Sequence, residues 1–385
     1  MNNLESAKLW ESVLQSNYGT PSVQLAHGSG CEVWDIEGNR YLDFLGGIAT
    51  NVLGHAHPAI IEAVSSQIRL LNHVSNFYSH PEVLKLAKRL QDMTGDSSAR
   101  VFFCNSGAEA NEAVLKLSRL TGKKKVIAFE GGFHGRTMGA LSMTGQSDKR
   151  DKFQPLIKKI KFAKYNDIKS VARLISRKTA MVIIEPIQGE RGVLPAKPGF
   201  LSDLRRLTSE NGTLLAIDAV QTGMGRTGKW FGYEDENIKP DAITLAKGLG
   251  GGLPIGAMIA FGESGKLFQP GSHGSTFGGN PIAAASANAT IDVIENENLL
   301  NRNFDKGEWL KREISVLEGV HEVRGSGLLL GVLFKESIAK EIYMRLLARR
   351  VLVNAPSEDV IRIAPAYVVS DDQIREFVAA FREVI

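Results

Sequence analysis

Ala242-Ile243-Thr244-Leu245-Ala246-Lys247-Gly248-Leu249-Gly250-Gly251-Gly252 is a strand-like apolar run that ends on a lysine and breaks at once into glycines. A second run, Thr213-Leu214-Leu215-Ala216-Ile217, stops in the same manner on Asp218, with Gln221 and a glycine-rich turn behind it. Working outward, similar runs lie at Val101–Phe103, Lys125–Phe129, Ala180–Glu185 and Ile255–Phe261. Amphipathic stretches such as Ala108–Arg119 and Gly199–Glu210 separate several of them, with apolar spacing that suits a helix laid on a sheet. Apolar strands spaced by helices predict an α/β fold whose mostly parallel sheet is covered on both faces.

The order changes after Gly279. Helices are expected from Pro281 to about Glu295 and near Arg302–Leu317, then strands within Val323–Phe334 and a helix near Ile338–Arg349. Strands at Val351–Val353 and Ile361–Ile363 follow, and a closing helix carries a capping box of Ser370 and Gln373. A chain of 385 residues exceeds what one core usually organises. The expected division is a large domain at residues 50–280 and a smaller α/β domain from the two chain ends, an N-terminal segment 1–49 and a C-terminal part 281–385.

The 46 basic and 42 acidic residues leave a net charge of +4, spread along the chain with short clusters such as Lys123-Lys124-Lys125 and Lys158-Lys159. That balance argues against nucleic acid as a partner. No run approaches the ~20 apolar residues of a membrane span, and the opening stretch Met1–Tyr18 is polar and mixed in charge. A cytoplasmic protein without membrane partners is expected. Cys31 and Cys104 lie far apart and read as packing thiols. His55 and His57 sit two apart without acidic or cysteine partners at ligand spacing, so no metal site is expected.

In open α/β sheets ligands collect at the carboxyl ends of strands, so Asp218 and Lys247 are placed to face one molecule. A Schiff-base lysine opposed by an acid that holds a pyridinium nitrogen is the arrangement pyridoxal phosphate requires. Each residue alone also suits a solvated loop or a helix cap, and the surrounding segments carry the weight. Cys104 to Glu112 joins a strand to a helix, where the Gly107 and Ala108 amides stand at the positive end of the dipole, as a phosphate or a plain Ser-Gly cap would have them. In Glu130-Gly131-Gly132-Phe133-His134-Gly135-Arg136-Thr137, Phe133 suits stacking on a flat ring and Arg136 a two-point grip on a carboxylate, although a surface arginine looks the same. Arg362, inside the apolar run Ile361-Arg362-Ile363, needs a partner. Glu190 is the candidate, as a permanent ion pair or as one that a substrate carboxylate displaces. Gly271 to Asn280, which includes Ser275 and Thr276, has the composition of an anion nest or of a hinge.

Together these segments resemble the class III, fold-type-I pyridoxal-phosphate aminotransferases over nearly the whole chain, from about Tyr18 to Ile385. Within that family, several stretches are similar to the acetylornithine aminotransferases: Leu42-Asp43-Phe44 through Pro58, His73-Val74-Ser75-Asn76, Asn105 to Glu112 and Phe133 to Thr137. A later block runs from Asp218 through Gly225-Arg226-Thr227-Gly228 and Lys247 to Gly256, then Gly271 to Pro281.

The resemblance implies that Lys247 holds pyridoxal 5'-phosphate and that Asp218 partners its ring nitrogen. It gives Gln221 the phenolic oxygen, Phe133 the ring face, and Gly107 and Ala108 the phosphate. Thr276 would complete the phosphate site from a neighbouring subunit, which implies a homodimer with shared active sites. Arg362 would bind the α-carboxylate and Arg136 the distal carboxylate of glutamate or 2-oxoglutarate, with Glu190 pairing Arg362 when N-acetylornithine occupies the site. Ser75, Asn76 and Ser275 are further implied substrate contacts.

Two positions depart from the family pattern. Ala219 stands where an acid usually follows the cofactor aspartate, and it is expected to point away from Asp218. Arg191 stands where glycine is usual, beside Glu190, where a new cation is expected to bear on the switch. Ornithine, succinylornithine and 4-aminobutyrate aminotransferases are the rivals inside the family. A dehydrogenase or a non-catalytic binding module is disfavoured, since no Gly-x-Gly-x-x-Gly turn follows the first strand of the sheet.

Overall fold

A computed structural model describes residues 1–385. Three short strands, β1 (Leu25–Ser29), β2 (Glu32–Asp35) and β3 (Arg40–Asp43), form an antiparallel meander near the N-terminus. The middle of the chain builds a seven-stranded sheet. Its strands are β4 (Arg100–Cys104), β5 (Lys125–Phe129), β6 (Ile160–Ala163) and β7 (Thr179–Ile184), then, after a two-strand ribbon of β8 (Ile187–Gln188) and β9 (Leu194–Pro195), β10 (Leu214–Asp218), β11 (Ala242–Leu245) and β12 (Gly256–Ala260). The spatial order is β4-β12-β11-β10-β7-β5-β6. Every neighbouring pair is parallel except the two that include β12, which runs against both β11 and β4.

β7, Thr-Ala-Met-Val-Ile-Ile, is buried at all six positions, because helices cover both faces of the sheet. One face packs Ile217, Ile243 and Leu204 into a core, and the other packs Val114, Leu117 and Met181. The parallel strands put their carboxyl ends on one edge, which is where Asp218 and Lys247 emerge. Sequence reading left out β6. At the sheet's edge Ile160 and Phe162 are only partly buried, Lys161 is exposed and Ala163 alone is buried, so β6 lacks the continuous apolar signature of its neighbours. The reversed direction of β12 was equally silent, since an apolar run carries no sign of its direction.

The C-terminal region adds a four-stranded antiparallel sheet in the order β13 (Val320–Ser326), β14 (Leu329–Phe334), β17 (Val360–Ile363), β16 (Asn354–Ser357). Between them β15 (Val351–Leu352) pairs in parallel with β3, which joins the two chain ends. The closing helix Asp371–Arg382 has the expected capping box, with Ser370 Oγ accepting from Gln373 N at 3.1 Å and Gln373 Oε1 accepting from Ser370 N at 3.0 Å. Position 281, expected as a boundary, falls at the head of the helix Pro281–Asn296. That helix serves both cores: Ala283, Ala284, Ala287 and Ile291 pack with the large sheet, and Val293 and Ile294 with the C-terminal region. No helix is long and apolar enough to cross a membrane.

Candidate active site

At the carboxyl edge of the large sheet lies a cavity of about 460 Å³, a size suited to a small cofactor with its substrate. Asp218, Lys247, Phe133, Arg136, Glu190, Gln221, Gly107 and Ala108 all line it. Sequence positions separated by more than a hundred residues therefore meet because the parallel strands end together.

Lys247 heads a short 3₁₀ turn with φ of +45°, a left-handed backbone that costs a non-glycine residue roughly 1–2 kcal/mol. Such strain persists where the surroundings impose it, commonly at functional sites. Burial, aided by the Arg362 guanidinium, lowers its amine to about 8. An amine so tuned is a competent nucleophile and proton carrier near neutral pH.

Asp218 is buried at the end of β10 and fixed by three donors. His134 Nδ1 lies 2.7 Å and Asn111 Nδ2 2.8 Å from Oδ2, and Val220 N donates to Oδ1 at 3.1 Å. Asn111 is itself locked: Nδ2 also donates to the His134 carbonyl at 2.8 Å, and Oδ1 accepts from Thr244 Oγ1 at 2.9 Å. Sequence reasoning gave neither His134 nor Asn111 a role. The available signal was a polar Asn within the apolar face of the helix Gly107–Arg119, which only the neighbouring strands explain. Ala219 packs in the core away from this network.

Glu185, just beyond β7, is buried and accepts the Phe133 amide at 2.8 Å. Burial, reinforced by the Asp218 charge, pushes its carboxyl well above the usual glutamate range. Through its bond to that amide it anchors the Phe133 loop.

Arg362, in the middle of β17, is buried and pairs with Glu190 Oε1 at 2.6 Å. Its Nη1 also donates to the Gly189 carbonyl at 3.2 Å and Gln221 Oε1 at 3.4 Å, and its Nη2 to Asn354 Oδ1 at 2.9 Å. Burial alone would raise the Glu190 carboxyl, but the Arg362 charge and hydrogen bond hold it below its ordinary value. Glu190 is a quarter exposed while Arg362 is 3% exposed, so the carboxylate is the movable member. Arg136 is exposed at the cavity, its guanidinium 5.6 Å from the Phe133 ring centroid, and has no carboxylate partner in the chain. Arg191 turns away from Glu190. Its guanidinium donates to the Glu130 carbonyl at 3.3 Å and its stem lies over Gly131, so the expected effect on the switch meets a side chain facing another loop.

The remaining expected contacts gather beside this cavity, outside its lining. Ser275 and Thr276 border a second hollow with Asn105, which lines both. Asn105 Nδ2 donates to Ser275 Oγ at 3.1 Å. Asn76 Nδ2 donates to the carbonyls of Ser275 and Gly278, each at 3.1 Å, and Ser75 adopts a left-handed φ of +61° just before it. His55 pairs with Asp43 at 2.9 Å and His57 caps the helix Pro58–Leu70, which accounts for both histidines.

These residues fit pyridoxal phosphate. At the head of the helix Gly107–Arg119, Ser106 takes the Glu109 amide on its hydroxyl and the Ala110 amide on its carbonyl. The Gly107 and Ala108 amides are left for an anion. A Cβ at residue 107 would stand 2.7 Å from Val220 Cγ1, so only glycine lets the helix head sit this close to the Asp218 turn. Asp218 retains lone-pair capacity for one more donor, as a protonated ring nitrogen would be.

A family model for class-III aminotransferases matches residues 13–385. An acetylornithine aminotransferase of Streptomyces coelicolor is 48% identical over 388 residues, covering 100% of this chain and 96% of its own. An ornithine aminotransferase of Toxoplasma gondii superposes with a TM-score of 0.95 at 29% identity, covering 100% of this chain and 95% of its own. An acetylornithine aminotransferase of Elizabethkingia anophelis superposes with a TM-score of 0.88 at 31% identity, covering 100% of this chain and 99% of its own.

Proposed function

We propose, on the premise that this chain belongs to the class-III aminotransferases, that it moves the terminal amino group between N-acetylornithine and 2-oxoglutarate, giving N-acetylglutamate semialdehyde and glutamate in arginine biosynthesis. The enzyme is a pyridoxal-phosphate-dependent transaminase. The Glu190–Arg362 pair carries this reading. A donor with one free carboxylate meets Arg136 and leaves the pair closed. A dicarboxylate partner meets Arg136 with one end and displaces Glu190 from Arg362 with the other, so one site takes both substrates.

Gly107 and Ala108 would hold the cofactor's phosphate, Phe133 a ring face, Gln221 the phenolic oxygen and Asp218 the ring nitrogen. When bound, pyridoxal phosphate supplies an electron sink at the carbon that loses or gains the amino group. Lys247 Nζ takes the proton from that carbon and returns it in the reverse half-reaction, a task its lowered proton affinity suits. His134 and Asn111 hold the Asp218 carboxylate in place, and Glu185 fixes the Phe133 loop by accepting its amide.

Thr276 lies outside the Lys247 cavity, and we assign it to the phosphate site of a second copy, in a homodimer with shared active sites. Sedimentation at the mass of a single chain would remove that assignment. We also read the enzyme as cytoplasmic, since its two cysteines are unpaired and buried, as suits a reducing compartment.

The close backbone match to an ornithine aminotransferase supports ornithine as a second reading. A half-reaction panel separates the two: loss of the bound cofactor's visible absorption is followed with acetylornithine, succinylornithine, ornithine and 4-aminobutyrate, with Lys247→Ala as the silent control. Acetylornithine is expected to be at least about tenfold the better donor over free ornithine. Equal use of the two, or a responsive Lys247→Ala, rejects the assignment.

A further inference from the structure

The cationic clusters that look dispersed in the sequence converge in the fold. Lys123, Lys124 and Lys125 lead into β5, and Lys159 and Lys161 flank the start of β6. Arg173 ends the helix Ile168–Leu174, and Arg177 and Lys178 lead into β7. Because β6, β5 and β7 are parallel neighbours, all eight cations surround one hollow of about 530 Å³ at the amino edge of the sheet. Without them the chain's formal charge of +4 would be −4. The strands that start here end at the catalytic cavity, about 17 Å away over five residues, so the two hollows lie at opposite edges.

No acidic residue lines this hollow. Arg173 has one carboxylate neighbour, Asp167, at 3.8 Å, and the other seven cations have none. Two lysines are committed to the frame: Lys125 Nζ donates to the Leu174 carbonyl at 2.7 Å and Ser176 Oγ at 3.1 Å, and Lys123 Nζ donates to the Gly212 carbonyl. Lys124, Lys159, Lys161, Arg177 and Lys178 have side chains with no partner in the chain. Mutual repulsion among so many cations opposes the compact state unless an anion offsets it.

We propose that this hollow binds the phosphate chain of a small polyphosphorylated anion. A single phosphate, at about −2, would leave most of the cations unmatched. The lining holds one apolar residue, Leu174, and no aromatic ring, so there is no platform on which bases of a nucleic acid would stack. Lysines act here as point charges on phosphate oxygens, which suits a flexible chain of phosphates better than a planar group.

The test is calorimetric titration of the cofactor-loaded enzyme with inorganic tripolyphosphate, at low and high salt. Loading keeps the phosphate site beside Lys247 filled, and the cofactor's visible absorption reports whether it stays so. The expected result is saturable one-to-one binding that weakens with salt, leaves the absorption unchanged and exceeds orthophosphate binding about tenfold. The triple variant Lys124→Ala, Lys161→Ala, Lys178→Ala, all exposed and remote from the active site, should lose about tenfold in affinity with turnover retained. Absence of saturable binding overturns the proposal, as does unchanged affinity in the triple variant. Tighter binding of a short single-stranded oligonucleotide than of tripolyphosphate also overturns it, in favour of a nucleic-acid surface.

Discussion

At the residue scale the catalytic edge separates charges by environment. Lys247 is brought down to about 8, Glu190 is held low by Arg362, and Glu185 is driven up by burial beside Asp218. Glu185 offers the clearest pH signature. The folded carboxyl keeps its proton at pH values where the unfolded one, at its ordinary 4.5, has released it. The folded state thus binds more protons above that pH, and stability falls as pH rises until the folded carboxyl itself ionises, at up to about 1.4 kcal/mol per pH unit. Glu185→Gln fixes the neutral form and still accepts the Phe133 amide. Its melting temperature relative to the wild type is expected to climb as the pH rises above about 5, and a constant difference would mean that Glu185 is ionised in the fold. Lys247 and Asp218 were legible from sequence because each ends an apolar run. Glu185 was legible only as the end of the apolar run from Ala180, whereas its raised proton affinity depends on enclosure that no linear pattern encodes.

At the element scale, the turn Gly189–Arg191 after β8 aligns Glu190 with β17. A Cβ on residue 189 would lie 1.5 Å from Gln221 Oε1, the free end of a side chain that can swing aside. Gly189→Ala is therefore expected to displace the Gln221 amide from Arg362 with a stability loss below about 1 kcal/mol. KM for 2-oxoglutarate should rise about tenfold, while the melting temperature moves little. An unchanged KM would show that Gln221 does not support the Arg362 site. The strands and helices that carry the site were readable from periodicity, but the contact between β17 and this turn spans 172 residues and was readable only as a need of Arg362 for a partner.

At the scale of the whole molecule, two cores share the helix Pro281–Asn296 and are pinned together by Arg226. Its guanidinium is fully buried, donating to the carbonyls of Leu328 at 3.0 Å and Pro365 at 2.6 Å and lying 4.7 Å from the Tyr367 ring centroid. Its Nε and Nη2 find no acceptor, so part of the burial cost is uncompensated. Arg226→Ala opens a cavity between the cores and is expected to cost about 2–4 kcal/mol in chemical denaturation. Arg226→Met fills the space without the charge and should cost less. An alanine variant that unfolds like the wild type would show that Arg226 does not hold the two cores together.

The sequence by itself determined the α/β class, the strand ends that carry Asp218 and Lys247, and the family, because apolar periodicity and local glycine turns are properties of neighbouring residues. The tertiary structure decided what depends on distant segments meeting. It locked Asp218 between His134 and Asn111, closed Glu190 on Arg362, turned Arg191 away from the switch, and gathered scattered lysines into one basic hollow. The physical reason is common to all four. Charge and hydrogen bonding act through a few ångströms of space, and only the packing of the large parallel sheet against the C-terminal antiparallel sheet and their connecting turns brings those residues within that reach.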